Sequence, residues 1–285
     1  MIRTLPKTKL YNLGFKIYVV AFFIFLFAPL VVISILAFND SDFSSLPWNG
    51  FSTDWFVANN EQRVGIFYDE ENLNSIYNSI KTAFFVTLFS LLMGTYAAII
   101  FERKDFKFKQ IIYFLSLTPL LIPGVILGIS LLVWVNDLGI YLSDNYGIDF
   151  EILRPSFWLV VVGQFSFIST LVMLIVSARL KKFDQNMEDA ALNLGATRSQ
   201  FVYYILLPFL KPALLGAAAV SFLMSFENFN TTLFLIGSDV TLPINLYSQV
   251  RDGTTPVVNS ISFLLIIITT IIAFINLIFT KKGEN

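Results

Sequence analysis

The sequence contains no cysteine and no histidine. The first absence excludes a disulfide framework and thiol chemistry. The two together remove the usual zinc and iron ligands and the commonest general base, so no metal site, no bound cofactor and no catalytic residue is expected. There is also no G-x-x-x-x-G-K-S/T loop, so the chain cannot cradle nucleotide phosphates by that device. Charge is scarce: Asp, Glu, Lys and Arg make up 14% of 285 residues, against about 25% in soluble domains. No internal repeat, low-complexity tract or second soluble domain is evident. What the chain has in abundance is apolar surface, with 56% hydrophobic residues and 31 Phe. That is the composition of a membrane protein.

Six membrane-spanning helices are predicted, at about 15–38, 79–101, 110–135, 155–178, 213–236 and 257–279, within one all-α transmembrane domain covering 1–285. The first follows a short basic segment, 1–16. It is too long for a signal-peptide core and has no small-x-small cleavage site, so it reads as an uncleaved span. Residues 39–78 form a polar, aromatic-rich loop with a short helix expected near 52–58. The third span carries Pro119, Pro123, Gly124 and Gly128, which predicts a kink. An acidic loop with Asp137, Asp144, Asp149 and Glu151 is expected after it. Trp134 and Trp158 suit interface anchoring near span ends.

An even number of spans puts both termini on one side, and charge chooses the side. The segments joined to the termini hold Arg3, Lys7, Lys9, Lys16, Arg103, Lys104, Lys107, Lys109, Arg179, Lys181, Lys182, Arg198, Lys211, Lys281 and Lys282, which is 15 of the 19 Lys and Arg. Only Arg63, Lys81, Arg154 and Arg251 fall on the other side. This split places the termini and the 179–212 segment in the cytoplasm and the 39–78 loop outside.

The longest polar interruption on the basic side contains Glu188 to Pro208, EDAALNLGATRSQFVYYILLP. Asp184 can cap a first helix, whose start carries Glu188 and Asp189 where the helix dipole favours acids. Met187, Ala190, Ala191 and Leu194 form an apolar stripe at helical spacing. Gly195 closes that helix at a position that favours left-handed backbone. Thr197 and Gln200 have capping-box spacing for a second helix, and Pro208 and Pro212 mark a bend toward the membrane. A linker lying on the lipid surface would normally carry more Lys and Arg on its polar face. The run resembles the cytoplasmic signature loop of ABC-importer permease subunits: D/E-A-A, three residues, Gly, nine residues, Ile-x-Leu-Pro. Asp189, Ala190, Ala191, Gly195, Ile205, Leu207 and Pro208 match at that spacing.

The resemblance implies the type I importer fold, with a five-span core over about 75–279 and the first span packed around that core or its partner. It implies an inner-membrane subunit whose coupling helix sits in a groove of a separate ATPase. The ATPase-coupling residues would be Glu188, Asp189, Ala190, Ala191, Leu194, Gly195 and Ala196. Expected partners are a pair of ATPase subunits, which hold ATP and Mg, a second, homologous and non-identical permease subunit, an extracytoplasmic solute-binding protein, and membrane lipid. No nucleic-acid partner is expected. An ion-coupled transporter would show paired intramembrane charges and inverted repeats, and an anchor for a peripheral protein would leave the polar fifth span unexplained.

Glu227 is the one ionisable residue within an apolar span, AAAVSFLMSFENFNTTLFLIG. A carboxylate there costs about 2.5–3.5 kcal/mol on insertion scales. On a continuous helix Glu227, Asn230 and Thr231 share one face, and Ser221, Asn228 and Thr232 another. Either Glu227 lines a solute path or it is a hydrogen-bonded carboxyl between helices. Residues 241–262 resemble spermidine/putrescine permease subunits of the C type. That family tends to carry Ser-x-Asp-Asp in the fifth span, where this chain has Ser225-Phe226-Glu227-Asn228, and an acid at the outer end of the third span, where it has Asp137. The resemblance implies a polyamine or another small solute, such as an opine or amino-acid derivative. Candidate pathway residues are Glu227, Asn228, Ser225, Asn230 and Asp137.

Overall fold

The computed structural model describes residues 9–282 except 149, 151–152, 185 and 254–255, with side chains described between 11 and 271. The basic residues Arg3 and Lys7, the acids Asp149 and Glu151, and the side chains of Lys9, Lys281 and Lys282 therefore lie outside the described residues. The described backbone is helical: α1 (Lys9–Leu36), α2 (Asp54–Val57), α3 (Glu70–Arg103), α4 (Lys109–Leu121), α5 (Gly124–Tyr146), α6 (Phe157–Leu180), α7 (Asn186–Asn193), α8 (Arg198–Phe201), a π turn (Val202–Leu206), α9 (Leu207–Phe226), α10 (Thr232–Leu235), α11 (Leu242–Asp252) and α12 (Val257–Lys282). Five helical stretches, Tyr11–Leu36, Glu70–Arg103, Gly124–Tyr146, Phe157–Leu180 and Arg198–Phe226, are long and apolar enough to cross a membrane. The sixth predicted span falls on α12. The chain forms two compact units, residues 1–73 with 246–285, and residues 74–245.

In the first unit α1 packs on α12. Its apolar stretch buries nothing else, so Phe22, Phe23, Ile24 and Phe25 remain exposed, as suits lipid contact. The predicted short helix near 52–58 is α2. Phe38 stacks on Phe51 with centroids 5.2 Å apart and meets Phe263 of α12 edge-on at 5.0 Å. Asn39 Oδ1 accepts from the Asn49 amide at 2.9 Å, and Trp55 Nε1 donates to the Asn39 carbonyl at 3.1 Å. Arg63 gathers Asp40, Asp42 and Asp54 and lies 5.0 Å above the Trp55 ring. The hydrogen bond to Asp40 pushes the guanidinium further above its ordinary value, against the opposing effect of desolvation.

The second unit is built on α6, which has Val160, Val161, Ile168, Val172, Met173 and Val176 buried and packs against α4, α5, α9 and α10. Ser156 starts α6 by accepting from the Leu159 amide at 3.4 Å. Three expectations about this unit and its borders are corrected. The helix that carries the second span begins at Glu70, so residues 70–78 of the expected loop are helical. Its early polar residues are used: Ser79 accepts from the Leu242 amide at 2.8 Å, and Asn78 donates to the Val240 carbonyl at 3.1 Å. The third predicted span is two helices. The backbone turns extended at Ile122 (φ −79°, ψ 129°) and Pro123 (φ −54°, ψ 133°), where a proline excludes continued α backbone in the residue before it. At 13 residues α4 is about 20 Å long, short of the roughly 30 Å hydrocarbon core, whereas α5 has the length to cross. Asp137 and Asp144 consequently lie on α5, not in a loop.

Candidate functional site

Two polar interruptions of the helical framework carry the candidate residues. The first is 184–208. The Asn186 amide donates to Asp184 Oδ1 at 3.0 Å, the expected cap. Gly195 has φ +88°. The Gly195 amide donates to the Leu192 carbonyl, and the Ala196 amide to the Ala191 carbonyl, both at 3.0 Å. That pair is the Schellman closure, which needs a left-handed residue. Thr197 and Gln200 form the full capping box, with the Gln200 amide 3.3 Å from Thr197 Oγ1 and the Thr197 amide 2.8 Å from Gln200 Oε1.

The predicted apolar stripe divides. Met187, Ala190 and Leu194 face outward, Leu194 being 88% exposed. Asp189 and Gly195 are exposed with them, and Ala196 is half-buried. Ala191 points the other way, at 8% exposure, into a core with Phe183, Phe201 and Leu206. It helps set the pose of α7, while Met187, Ala190 and Leu194 carry the outward surface. Glu188 is also turned inward, pairing with Arg103 at 3.2 Å. The bend predicted at Pro208 and Pro212 takes another form. Helix continues from Arg198 to Phe226, with a π turn at Val202–Leu206 just before Pro208. A wider turn absorbs the missing proline donor without ending the helix. Tyr203 and Tyr204 project from it, 72% and 76% exposed. Arg179 Nε donates to the Phe209 carbonyl at 3.1 Å and stacks on the Phe209 ring at 4.1 Å.

The second interruption breaks the fifth predicted span. α9 ends at Phe226, Glu227 is its C-cap (φ −86°, ψ −2°), and α10 begins at Thr232. The helical faces predicted for Glu227 to Thr232 therefore do not exist. Asn228 Oδ1 substitutes for the lost ladder. It accepts from the Thr231 and Thr232 amides, each at 3.3 Å, and from Thr232 Oγ1 at 3.0 Å. Gln164 of α6, 1% exposed, joins both sides of the break: its Nε2 donates to Thr232 Oγ1 at 2.8 Å, and its Oε1 accepts from Ser225 Oγ. Gly128 of α5 allows the backbone in close, since a Cβ there would lie 2.9 Å from the Thr231 carbonyl oxygen.

The structure thus sorts the five candidate pathway residues. Ser225 and Asn228 are committed to the fold. Glu227 and Asn230 are exposed at the break, and the Glu227 carboxylate has no hydrogen bond or ion pair among the described residues. Asp137 is exposed on α5 and takes no part in the Gln164 network. Gln164 was missed from the sequence. Its signal was there, as the one amide in FWLVVVGQFSFISTLVMLIVSARL.

Residues 90–282 match the family described as binding-protein-dependent transport system inner membrane component. The chain belongs to this family. Similarity to individual members runs beyond the matched region. The chain is 28% identical over 255 residues to the spermidine/putrescine transport system permease protein PotC of Escherichia coli K12, covering 89% of each. It is 29% identical over 265 residues to the putrescine transport system permease protein PotI of the same organism, covering 92% of this chain and 89% of that one. A bacterial ABC transporter involved in the import of the acidic polysaccharide alginate contains a chain with the same fold. The TM-score is 0.71 at 17% identity, over 96% of this chain and 94% of that one. A second structure of a bacterial alginate ABC transporter, in complex with alginate pentasaccharide-bound periplasmic protein, gives 0.67 at 16% identity, over 95% and 92%. As a binding-protein-dependent inner membrane component, the chain is a multi-pass ABC-importer permease subunit.

Proposed function

We propose that this permease moves polyamines such as spermidine or putrescine into the cytoplasm by alternating access. A separate ATPase pair would dock on the surface of Met187, Asp189, Ala190 and Leu194, and an extracytoplasmic binding protein would deliver the solute. The observation that carries the solute class is near-full-length similarity to two permeases named for those amines. The chain's own chemistry agrees with it. Glu227 is an unpaired carboxylate, among the described residues, exposed at a break in an apolar helix, and an ammonium is the natural partner for such a group. Asn228 stands where a second acid is usual in the resembling family, and its oxygen already holds Thr231 and Thr232. The solute therefore meets one anion at this level.

Support for the docking surface is its exposed apolar character on a helix closed at both ends by local hydrogen bonds. A second, non-identical permease subunit would complete the path, and the basic excess around the coupling segment would set it on the cytoplasmic side. The test is ATP-dependent uptake of radiolabelled spermidine and putrescine by proteoliposomes holding this chain with its second permease subunit, ATPase and binding protein. Uptake of either amine is the expected result. ATP hydrolysis stimulated by the loaded binding protein, with neither amine taken up or competing, would remove the polyamine assignment.

A further inference from the structure

Arg103 is the last residue of α3, and its side chain is 15% exposed. Nη1 donates to Glu188 Oε2 at 3.2 Å, and the guanidinium lies over the Phe183 ring at 4.9 Å. Nη2 is buried and has no hydrogen-bond partner among the described residues. A pair of this kind is poor value as a stabiliser. Desolvation of a buried guanidinium offsets most of the attraction, and an unpaired donor adds its own penalty. An apolar side chain would fill the space with neither cost. What an arginine adds is direction: a planar fork that grips a carboxylate while stacking on an aromatic ring fixes the relative pose of the elements it joins.

The placement shows which elements those are. Glu188 lies in the first turn of α7, where the helix dipole reinforces the negative charge. Leu194, the most exposed apolar side chain of the segment, sits just past the other end. Six residues of helical rise separate them, about 9 Å. Beside the clamp, Lys181 and Glu102 pair at 3.7 Å, but Lys181 is 66% exposed and that pair holds little.

We infer that Arg103 is a positioning residue that pins the Glu188 end of α7 to α3, so that a push on the Leu194 end moves both helices as one body. This rests on the docking proposal, in which the ATPase applies that push. Loss of the clamp frees α7 to tilt against α3 while the ATPase remains bound.

The chain lacks cysteine, so single thiols can be placed at will. Asn193 and Lys104 are exposed positions on α7 and just beyond α3. Spin labels at Asn193→Cys and Lys104→Cys would be read by pulsed dipolar spectroscopy in the full importer complex, nucleotide-free and trapped with ATP and vanadate. With Arg103 intact the distance distribution should be the same in both states. In Arg103→Gln and in Glu188→Gln, trapping should add a second, shifted population, and Arg103→Lys, which keeps the charge, should largely suppress it. Identical distributions for all variants in both states would overturn the clamp, as would movement between the labels with Arg103 in place. A parallel arm separates this from the docking proposal. Leu194→Asp should abolish co-purification of the ATPase. If the ATPase still co-purifies, docking is elsewhere and the docking proposal fails, whatever the spin labels report about Arg103.

Discussion

The 184–208 segment and the 225–232 break are both polar interruptions of apolar helices, yet their local shapes are set in opposite ways. In the first, each bond that starts or stops a helix joins residues no more than five apart: Asp184 to Asn186, Leu192 to Gly195, Ala191 to Ala196, Thr197 to Gln200. In the second, Asn228 acts locally, but the break is tied together by Gln164, more than sixty residues earlier in the chain. The helix ends of the first are set locally, while its place against the bundle is set by Arg103 and the core around Phe183 and Phe201. The second depends on α6 for its shape as well as its place.

Four substitutions sharpen the contrast. The largest effect is expected at the exposed surface of the 184–208 segment. Leu194→Asp should weaken ATPase association about a hundredfold, roughly 2.7 kcal/mol, without lowering the melting temperature, because the side chain touches little of its own fold. Binding titrations with purified ATPase would measure this, and a coupled loss of stability would blur the distinction. Next, Gln164→Leu should destabilise the chain by about 2 kcal/mol by stripping buried partners from Ser225 and Thr232. Adding Ser225→Ala and Thr232→Val should restore most of that loss. Thermal melts in detergent would decide, and a neutral single variant would mean the network holds nothing.

A tenfold fall in apparent affinity for spermidine, about 1.4 kcal/mol, is expected for Glu227→Gln, with an unchanged melting temperature since the carboxylate is unpaired among the described residues. Transport assays would show it. Normal affinity and rate in both Glu227→Gln and Glu227→Ala would exclude the carboxylate from the path. The smallest effect belongs to Thr197→Ala, about 1 kcal/mol of local stability. Faster amide exchange confined to the start of α8 would report it, and a global loss would contradict the local character of this segment.

The same contrast explains what was legible in the sequence. The start of α7, its glycine stop and the capping box were all readable, because the residues that make them are adjacent in sequence. Pro119, Pro123 and the two glycines announced a disturbed third span, but not that α5 would restart at Gly124 and carry Asp137 on a helix. The early start of α3 was hidden because Asn78 and Ser79 look like loop residues until their partners at Val240 and Leu242 are seen. Glu227 was found, but on an assumed continuous helix. The pairing of Ser225 with Gln164 decides which polar groups remain free, and nothing near Ser225 in sequence announces it. Similarly, Ala191 belonged to an apolar stripe by spacing, and only the packing of Phe183, Phe201 and Leu206 divides that stripe into an inner and an outer face.

The π turn at Val202–Leu206 has an evolutionary corollary. Such a turn is equivalent to one residue inserted into an ordinary helix. Deleting a single codon there would restore regular winding and swivel the preceding α8 by about 100° around the axis of α9. It would also carry Phe201 out of the core it shares with Phe183 and Ala191, so the extra residue is what lets this segment and α9 keep their packing together.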